Sequence, residues 1–410
     1  MLRRNTHHIY LYYTHMKIGI IGAGIAGITA AYYAAKDGHE VTVYDKERYP
    51  AMRCSYANGG QVSVSNSEVW TTWGNVYKGI KWVLKKDAPL LIRPSLDLDK
   101  ASWLAKFLYH TATKDYARNT AETIRMGIEA RKLYNEICRE ENISFDRLNN
   151  GILHIYKDKK YMKQATLVKE LYNANGCEWD LLSEYEVKRI EPSLSKVNDI
   201  IGGVFTPSDF TGDIHKFCLH LAKKLEEKYN VKFFYNADLS NIMDTYKSKV
   251  GFMHDKIIIA AGVNSVKLAK ELGDKLSIYP VKGYSITIEA GGLKSLKATP
   301  SVSLLDDEAK IVCSLLGNRL RVAGTAELAG ENYDIRYDRI KPLLNWVETN
   351  FPEINTSQYS SWACLRPMTP NMMPIVGCSK KNSRVYYHTG HGHLGWTLSP
   401  YTAKQLIKQL

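Results

Sequence analysis

Three glycines, at 22, 24 and 27, lie in the run Ile21-Gly22-Ala23-Gly24-Ile25-Ala26-Gly27, after an apolar segment that opens at Lys17. This spacing suits a pyrophosphate. Gly22 permits a tight turn out of a strand, Gly24 lets main-chain N–H groups approach phosphate oxygens, and Gly27 lets the next helix pack closely on the sheet. The start of that helix adds unpaired N–H groups and a partial positive charge, both favourable to an anion. Beyond them the alternating segment Val41-Thr42-Val43-Tyr44 ends on Asp45, followed by Lys46. A carboxylate at that place can accept both hydroxyls of an adenosine ribose. A glycine triplet by itself is a weak signal. Strand, glycines, helix, second strand and terminal acid in this order specify dinucleotide binding.

The elements needed to hold that chemistry can be traced along the chain. Residues 17–48 read as a βαβ entry, and Tyr56-Ala57-Asn58-Gly59-Gly60-Gln61 as a glycine-bearing loop able to run close to a flat ring. From Glu68 to about Arg125 the sequence is helical and interleaves Trp70, Trp73, Trp82 and Trp103 with Lys78, Lys81, Lys85 and Lys86. Residues 120–142 read as one amphipathic helix. Strands are expected at Gly151 to Tyr156, Ile200 to Phe205 and Val231 to Tyr235, with a helix from His215 to Tyr229. Lys256-Ile257-Ile258-Ile259-Ala260-Ala261-Gly262 has the continuous apolar character of a strand buried on both faces, and ends on a second glycine turn. That repeat predicts a discontinuous dinucleotide fold whose later half returns to the same sheet. Alternating segments between Tyr279 and Pro370 predict a mixed or antiparallel sheet lining a pocket. Thr389-Gly390-His391-Gly392-His393-Leu394-Gly395-Trp396-Thr397 then leads into a final helix, aiming a second helix start at something electron-rich. The expected fold class is α/β. A Rossmann-like domain from 16–100, 186–280 and 375–410 accompanies a substrate domain from 101–185 and 281–374. Residues 1–15 read as an addition outside the fold, with Met16 as the initiator and no metal role for His7 and His8.

Composition narrows the function classes. Ile18 to Ala35 carries no charge, but three glycines at motif spacing and the polar stretch Lys36-Asp37-Gly38-His39 exclude a membrane span or signal sequence. The seven cysteines never form a CxxC pair, which speaks against zinc, iron–sulfur and thioredoxin-like chemistry and for reduced thiols. Cys54 alone stands near the proposed site, as a small packed side chain. The net charge of +13 is spread along the whole chain without a nucleic-acid-binding signature. Such a surface attracts anionic substrates or anionic phospholipid.

Several segments together resemble one family, the FAD-dependent D-amino acid dehydrogenases of small-subunit type, within the glycine oxidase and D-amino acid oxidase fold group. They are the glycine fingerprint, Ala57-Asn58-Gly59-Gly60-Gln61, Asp209 to Asp213, Pro280-Val281-Lys282-Gly283-Tyr284-Ser285, Leu365-Arg366-Pro367-Met368-Thr369-Pro370, Thr389 to Gly392 and Leu394 to Thr397. The resemblance covers nearly the whole chain from Met16. It implies non-covalent FAD, hydride transfer from a D-amino acid, D-alanine foremost, to flavin N5, hydrolysis of the imine to a 2-oxo acid and ammonia, and electrons passed to a quinone. The cysteine pattern and the spread charge argue for a cytoplasmic protein with no metal and no nucleic-acid partner, and the quinone acceptor favours a peripheral place on the cytoplasmic face of the inner membrane over a lid role for the tryptophan–lysine segment. Cofactor contacts are implied at Ile21 through Gly27, Asp45, Lys46, Asn58, Gly59, Gly60, Gln61, Ala260, Gly262, Gly390, His391, Gly392, Leu394, Gly395, Trp396 and Thr397.

For the substrate, the resemblance assigns the carboxylate to Arg366, whose guanidinium offers a planar two-bond fork; pairing with a structural acid is the alternative. Tyr284 either supplies a hydroxyl to the pocket or packs its ring in the core. His393 either contacts substrate beside the flavin or is an internally hydrogen-bonded loop residue. No strong general base is required when the amine arrives neutral, because its lone pair assists hydride departure. The chain departs from the family pattern at Asn371-Met372-Met373, at Phe210, at Ser399-Pro400 and after Leu410. By rough alignment Arg321 stands where some amine oxidases of the fold place a lysine for oxygen chemistry. Two other readings therefore stay open: an oxygen-using glycine, sarcosine or D-amino acid oxidase, and an FAD-binding protein without activity. The tryptophan–lysine segment fits an interfacial element or a lid.

Overall fold

The computed structural model describes residues 15–83, 89–92, 96–237, 253–291 and 297–410. Residues 1–14, with His7 and His8, and Lys85 and Lys86 lie outside the described residues. The first strand, Lys17–Ile21, buries every residue after its lysine and pairs in parallel with Glu40–Tyr44 on one side and Lys256–Ile259 on the other. Strands covered on both faces need unbroken branched apolar runs, and Ile257, Ile258 and Ile259 supply one. The six-stranded sheet runs Ile375–Cys378, Val385–Thr389, Lys256–Ile259, Lys17–Ile21, Glu40–Tyr44, Lys232–Phe234. Only Ile375–Cys378, at the edge, is antiparallel to its neighbour. Strands from both ends of the chain share this sheet, as the repeated strand-to-glycine turn predicts.

The helix Ile25–Lys36 follows the first strand and ends before Gly38, whose φ of +88° reverses the chain. Its alanines let it lie close to the final helix, Gly395–Ile407, while Tyr116–Glu141 and Ile214–Tyr229 complete the layer. Aromatic edges lock these helices together. The Trp396 ring meets Tyr134 at 4.7 Å and Phe217 at 5.1 Å between centroids, in the edge-to-face geometry that aromatic quadrupoles favour.

Among the described residues the second sheet has nine strands. Tyr279–Glu289 lies next to the edge strand Ser360–Met368 and is antiparallel both to it and to Arg319–Leu328. Side chains alternate across it. Tyr284, Ile286 and Ile288 enter a core shared with Leu343 and Val347 of the helix Tyr337–Asn350, whereas Ser285 reaches the Ala57 carbonyl on the opposite face, at 2.7 Å.

Two expected assignments are corrected. Gly202–Thr206 lies within the 186–280 stretch assigned to the dinucleotide domain, yet it pairs with Ile152–Tyr156 and Asp180–Ser183 in the nine-stranded sheet. Leu90–Ile92, inside 16–100, likewise joins that sheet beside Arg319–Leu328. Short apolar strands carry no sheet address in their own residues; pairing partners distant in sequence decide it. Among the described residues no helix is long and apolar enough to cross a membrane.

Candidate active site

The fingerprint is built as its spacing predicts. Gly22 N–H donates to the Tyr44 carbonyl at 2.8 Å. A Cβ on Gly22 would stand 2.6 Å from the Ala260 carbonyl oxygen, and one on Gly27 would stand 1.8 Å from the Gly22 carbonyl oxygen. The second glycine turn therefore abuts the first, with Gly262 in the left-handed region at φ +58°. Gly24 gives the helix start no side-chain cap, and the Ile25 N–H donates to Ser55 Oγ at 3.1 Å, a partner no motif announced. Asp45 staples the turn: Oδ2 accepts from Ala23 N–H and Oδ1 from Glu47 N–H at 2.8 Å. Carboxylate oxygens have two lone pairs each, so acceptor capacity remains for ribose hydroxyls. Burial pushes the Asp45 carboxyl above its usual range, and the two amides oppose that. Lys46 beside it is exposed.

The loop at 57–61 is pinned to the nine-stranded sheet. Gly59 O accepts from Ser314 Oγ at 2.7 Å, and Gln61 Nε2 donates to Ser303 Oγ at 2.7 Å. Asn58 Oδ1 accepts from Gly60 N–H at 2.9 Å, so the Asn58 and Gln61 side chains shape the loop. A Cβ on Gly59 would meet Val312 Cγ2 at 2.4 Å. Arg321 lies beneath the loop, donating to Asn58 O at 3.0 Å and to Thr287 Oγ1 at 2.8 Å. It has no carboxylate in ion-pair contact among the described residues, and burial pulls its guanidinium down to about 10.

At the C-terminal cradle, Gly390 and Gly392 take φ of +74° and +57°. Gly392 N–H is already committed to Pro367 O at 3.0 Å. The His391 side chain turns inward to Thr402 Oγ1 at 2.9 Å and the Trp396 ring packs in the core. The start of the final helix lacks a side-chain cap, and Thr397 Oγ1 accepts from Ser63 N–H at 3.3 Å. Leu394 is buried behind it. The chain thus has two helix starts without side-chain caps from their N-cap residues, and a glycine loop pinned between them and the second sheet. These features fit an extended dinucleotide held by its phosphates at one end and its ring at the other.

The substrate side centres on Arg366. Its guanidinium lies flat against Gly283, where a Cβ would come within 2.3 Å of Cζ. Its Nη1 donates to Thr325 O at 3.3 Å, and no carboxylate pairs with it among the described residues. Thr325 takes φ +57° where Arg319–Leu328 slips register against Tyr279–Glu289. Such strain in a β-branched residue persists only when the surroundings enforce it; here the bulge turns its carbonyl to the guanidinium. His393 stacks on Trp70 at 4.9 Å and 19°, and its buried Nε2 has no hydrogen-bond partner among the described residues. Burial first, then the nearby Arg366 charge, pull His393 down to about 4, so the ring is neutral near pH 7. The ring also has a hydrogen bond with the Asn66 backbone, so one nitrogen is held internally while Nε2 is not.

Tyr284 is corrected. It points to the other face of the sheet, buried, with its hydroxyl on Glu327 Oε2 at 2.5 Å and Lys282 Nζ 3.4 Å from the same oxygen. A one-residue step along a strand reverses the face, so Gly283, not Tyr284, lies under Arg366. Cys54 is not the sole cysteine here: its Sγ donates to Leu365 O at 2.8 Å and it touches Cys364. Ser55, Trp70, Gly283 and Thr325 are neighbours of these groups to which the sequence reading gave no site role, although Gly283 stood inside a quoted motif and Trp70 in the tryptophan–lysine segment.

The glycine fingerprint on one sheet and, on the other, an arginine with no carboxylate partner among the described residues are features of a dinucleotide-dependent oxidoreductase. Residues 17–409 match the family model DAO, FAD dependent oxidoreductase, and the chain belongs to that family. It is 47% identical over 400 residues to the D-amino acid dehydrogenase 3 of Mesorhizobium japonicum, spanning 95% of this chain and 96% of that protein. It is 36% identical to a D-amino acid dehydrogenase of Rhizobium johnstonii, spanning 95% of this chain and 94% of that one. Among solved structures, glycine oxidase from Bacillus cereus superposes with a TM-score of 0.68 at 18% identity, over 96% of this chain and 94% of the other. The FAD-bound L-alpha-glycerophosphate oxidase of Mycoplasma pneumoniae reaches 0.71 at 18% identity, over 97% and 94%. Those two likenesses establish the fold.

Proposed function

We propose that this protein oxidises D-amino acids to 2-oxo acids and ammonia, with D-alanine as the first substrate to test, and passes the electrons to a quinone. The observation that carries the reading is Arg366: a cation held flat on Gly283, without an acid partner among the described residues, beside a neutral histidine. The 47% identical relative named a D-amino acid dehydrogenase supports the substrate class. In this reading the six-stranded sheet holds the cofactor and the nine-stranded sheet the substrate.

FAD, when bound, supplies the two-electron acceptor for a hydride. The protein's own residues bind and orient. With FAD bound, the first helix start and Asp45 would hold the phosphates and ribose, and N–H groups at the final helix start would favour negative charge on the ring. Two Arg366 N–H groups grip the substrate carboxylate and fix the α-carbon. A neutral His393 adds no second cation, so the amine is free to enter uncharged.

An exposed face supports delivery of electrons at a membrane surface. Trp73, Tyr77 and Ile80 align on one side of the helix Trp73–Val83, and Trp73 and Ile80 are 62% and 63% exposed. Lys81 lies over the Tyr77 ring at 4.5 Å. Indoles, phenols and lysines of this kind prefer a lipid headgroup boundary.

Anaerobic mixing with D-alanine should bleach the flavin absorption, while L-alanine leaves it unchanged. No bleaching across a panel of D-amino acids would refute the substrate assignment. Peroxide formed in step with turnover would make oxygen the acceptor in place of a quinone. Failure to sediment with anionic vesicles at low salt would remove the membrane assignment.

A further inference from the structure

Cys54 and Cys364 lie far apart in the sequence, yet the fold brings them together at the border between the two sheets. Cys54 precedes Ser55, whose hydroxyl holds the first N–H of the fingerprint helix. Cys364 stands two residues before Arg366 on the strand Ser360–Met368, and therefore on the same face. The Cys54 thiol donates to the carbonyl of Leu365 at 2.8 Å and forms a hydrogen bond with the Cys364 thiol. Both residues are partly accessible, unlike the buried Cys177, Cys218 and Cys313, and Cys378 is exposed.

We propose that Cys54 and Cys364 are a thiol pair that a hydroperoxide converts to a reversible disulfide, tying the loop under the fingerprint helix to the strand that carries Arg366. The pair has the asymmetry this chemistry needs. The single Cys54 proton is committed to the Leu365 carbonyl at 2.8 Å, whereas Cys364 stands opposite Gly283, against which the Arg366 guanidinium lies, and that positive charge favours its thiolate. Cys364 is thus the attacking thiolate and Cys54 keeps its proton. Burial pushes up Cys138, Cys177, Cys218 and Cys313. In the first step the Cys364 sulfur attacks a peroxide oxygen and the O–O bond breaks, leaving a sulfenic acid and hydroxide. The Cys54 sulfur then displaces hydroxide from the Cys364 sulfur. The S–S bond forms and the Cys54 proton leaves with that hydroxide as water. Two thiols give up two electrons, and one hydrogen peroxide becomes two waters. The cross-link also removes the Cys54 donor from Leu365 O, next to Arg366. The consequence for substrate binding rests on the proposed function; the chemistry of the thiols does not.

The experiment uses full-length holoprotein carrying Cys378→Ser, so that the exposed thiol is silent. It is treated with hydrogen peroxide, then unfolded, and its free thiols are counted. Six of the original seven cysteines remain in this background, and the expected result is a loss of two thiols, restored by dithiothreitol, with Cys54 and Cys364 in one linked peptide. Adding Cys54→Ser should stop the disulfide and drive Cys364 on to sulfinic acid, visible as added oxygen mass. Adding Cys364→Ser should leave Cys54 unoxidised. An unchanged thiol count, a linked peptide with any other pair, or single variants that oxidise like the parent would each overturn the proposal. Flavin content of each variant confirms that it is folded, and no arm depends on D-amino acid turnover.

Discussion

Alanine at position 283 tests the heart of the site. The new methyl carbon would stand 2.3 Å from Arg366 Cζ, 2.3 Å from Nη2 and 2.5 Å from Nη1. Non-bonded carbons settle at about 3.5–4.0 Å, so the guanidinium must withdraw by about 1.2 Å or more. The atoms it meets are the far end of a long side chain, which can swing aside without moving the sheet. Stability should therefore stay within about 1 kcal/mol of the parent, as when no core contact or backbone conformation is disturbed. Catalysis should not: a displacement of about 1 Å costs on the order of 100-fold. The loss belongs mainly to KM, because the carboxylate grip is made in the ground state as well as the transition state. The assay is steady-state D-alanine oxidation with an artificial dye acceptor, alongside flavin content and a urea unfolding curve. A variant with a full flavin load and kcat/KM within about threefold of the parent, a difference below 1 kcal/mol, would refute the placement of Arg366 over the substrate.

Other perturbations read other parts of the architecture. Arg366→Lys keeps the charge but loses the planar fork, and should cost about 1.5–3 kcal/mol in kcat/KM; a variant equal to the parent would mean the carboxylate binds elsewhere. Glu327→Ala should lower stability by about 3–5 kcal/mol by leaving buried positive charge uncompensated, read as a fall in urea midpoint, since Tyr284, Lys282 and Arg336 all converge on that carboxylate. Burial pulls both His388 and His393 down to about 4. The unfolded chain, with histidine near 6.5, binds more protons in that window, so stability falls as pH drops from about 6.5 to about 4, by at most about 1.4 kcal/mol per unit for each histidine. A urea midpoint that does not change between pH 7 and 5 would contradict this. Gly27→Ala should abolish flavin binding, because its Cβ would lie 1.8 Å from the Gly22 carbonyl oxygen; a yellow Gly27→Ala protein would refute the cradle.

The cofactor end was legible in the residues because it is local. Glycines at 22, 24 and 27 and the acid at 45 act through backbone sterics and hydrogen bonds confined to one βαβ unit, and short-range geometry is written in short-range spacing. Helices were legible for the same reason: the expected span His215 to Tyr229 is found as Ile214–Tyr229. Arg366 could be named by its Arg-Pro motif, but its freedom from an acid partner could not. Tertiary structure decided which face of Tyr279–Glu289 meets the 57–61 loop, turning Tyr284 into a buried partner of Glu327 and making Gly283 the floor under the arginine. It also chose the sheet for Gly202–Thr206 and brought Cys54 to Cys364. These outcomes rest on register between strands tens to hundreds of residues apart. A shift of one residue exchanges the two faces of a strand while leaving its composition and alternation unchanged.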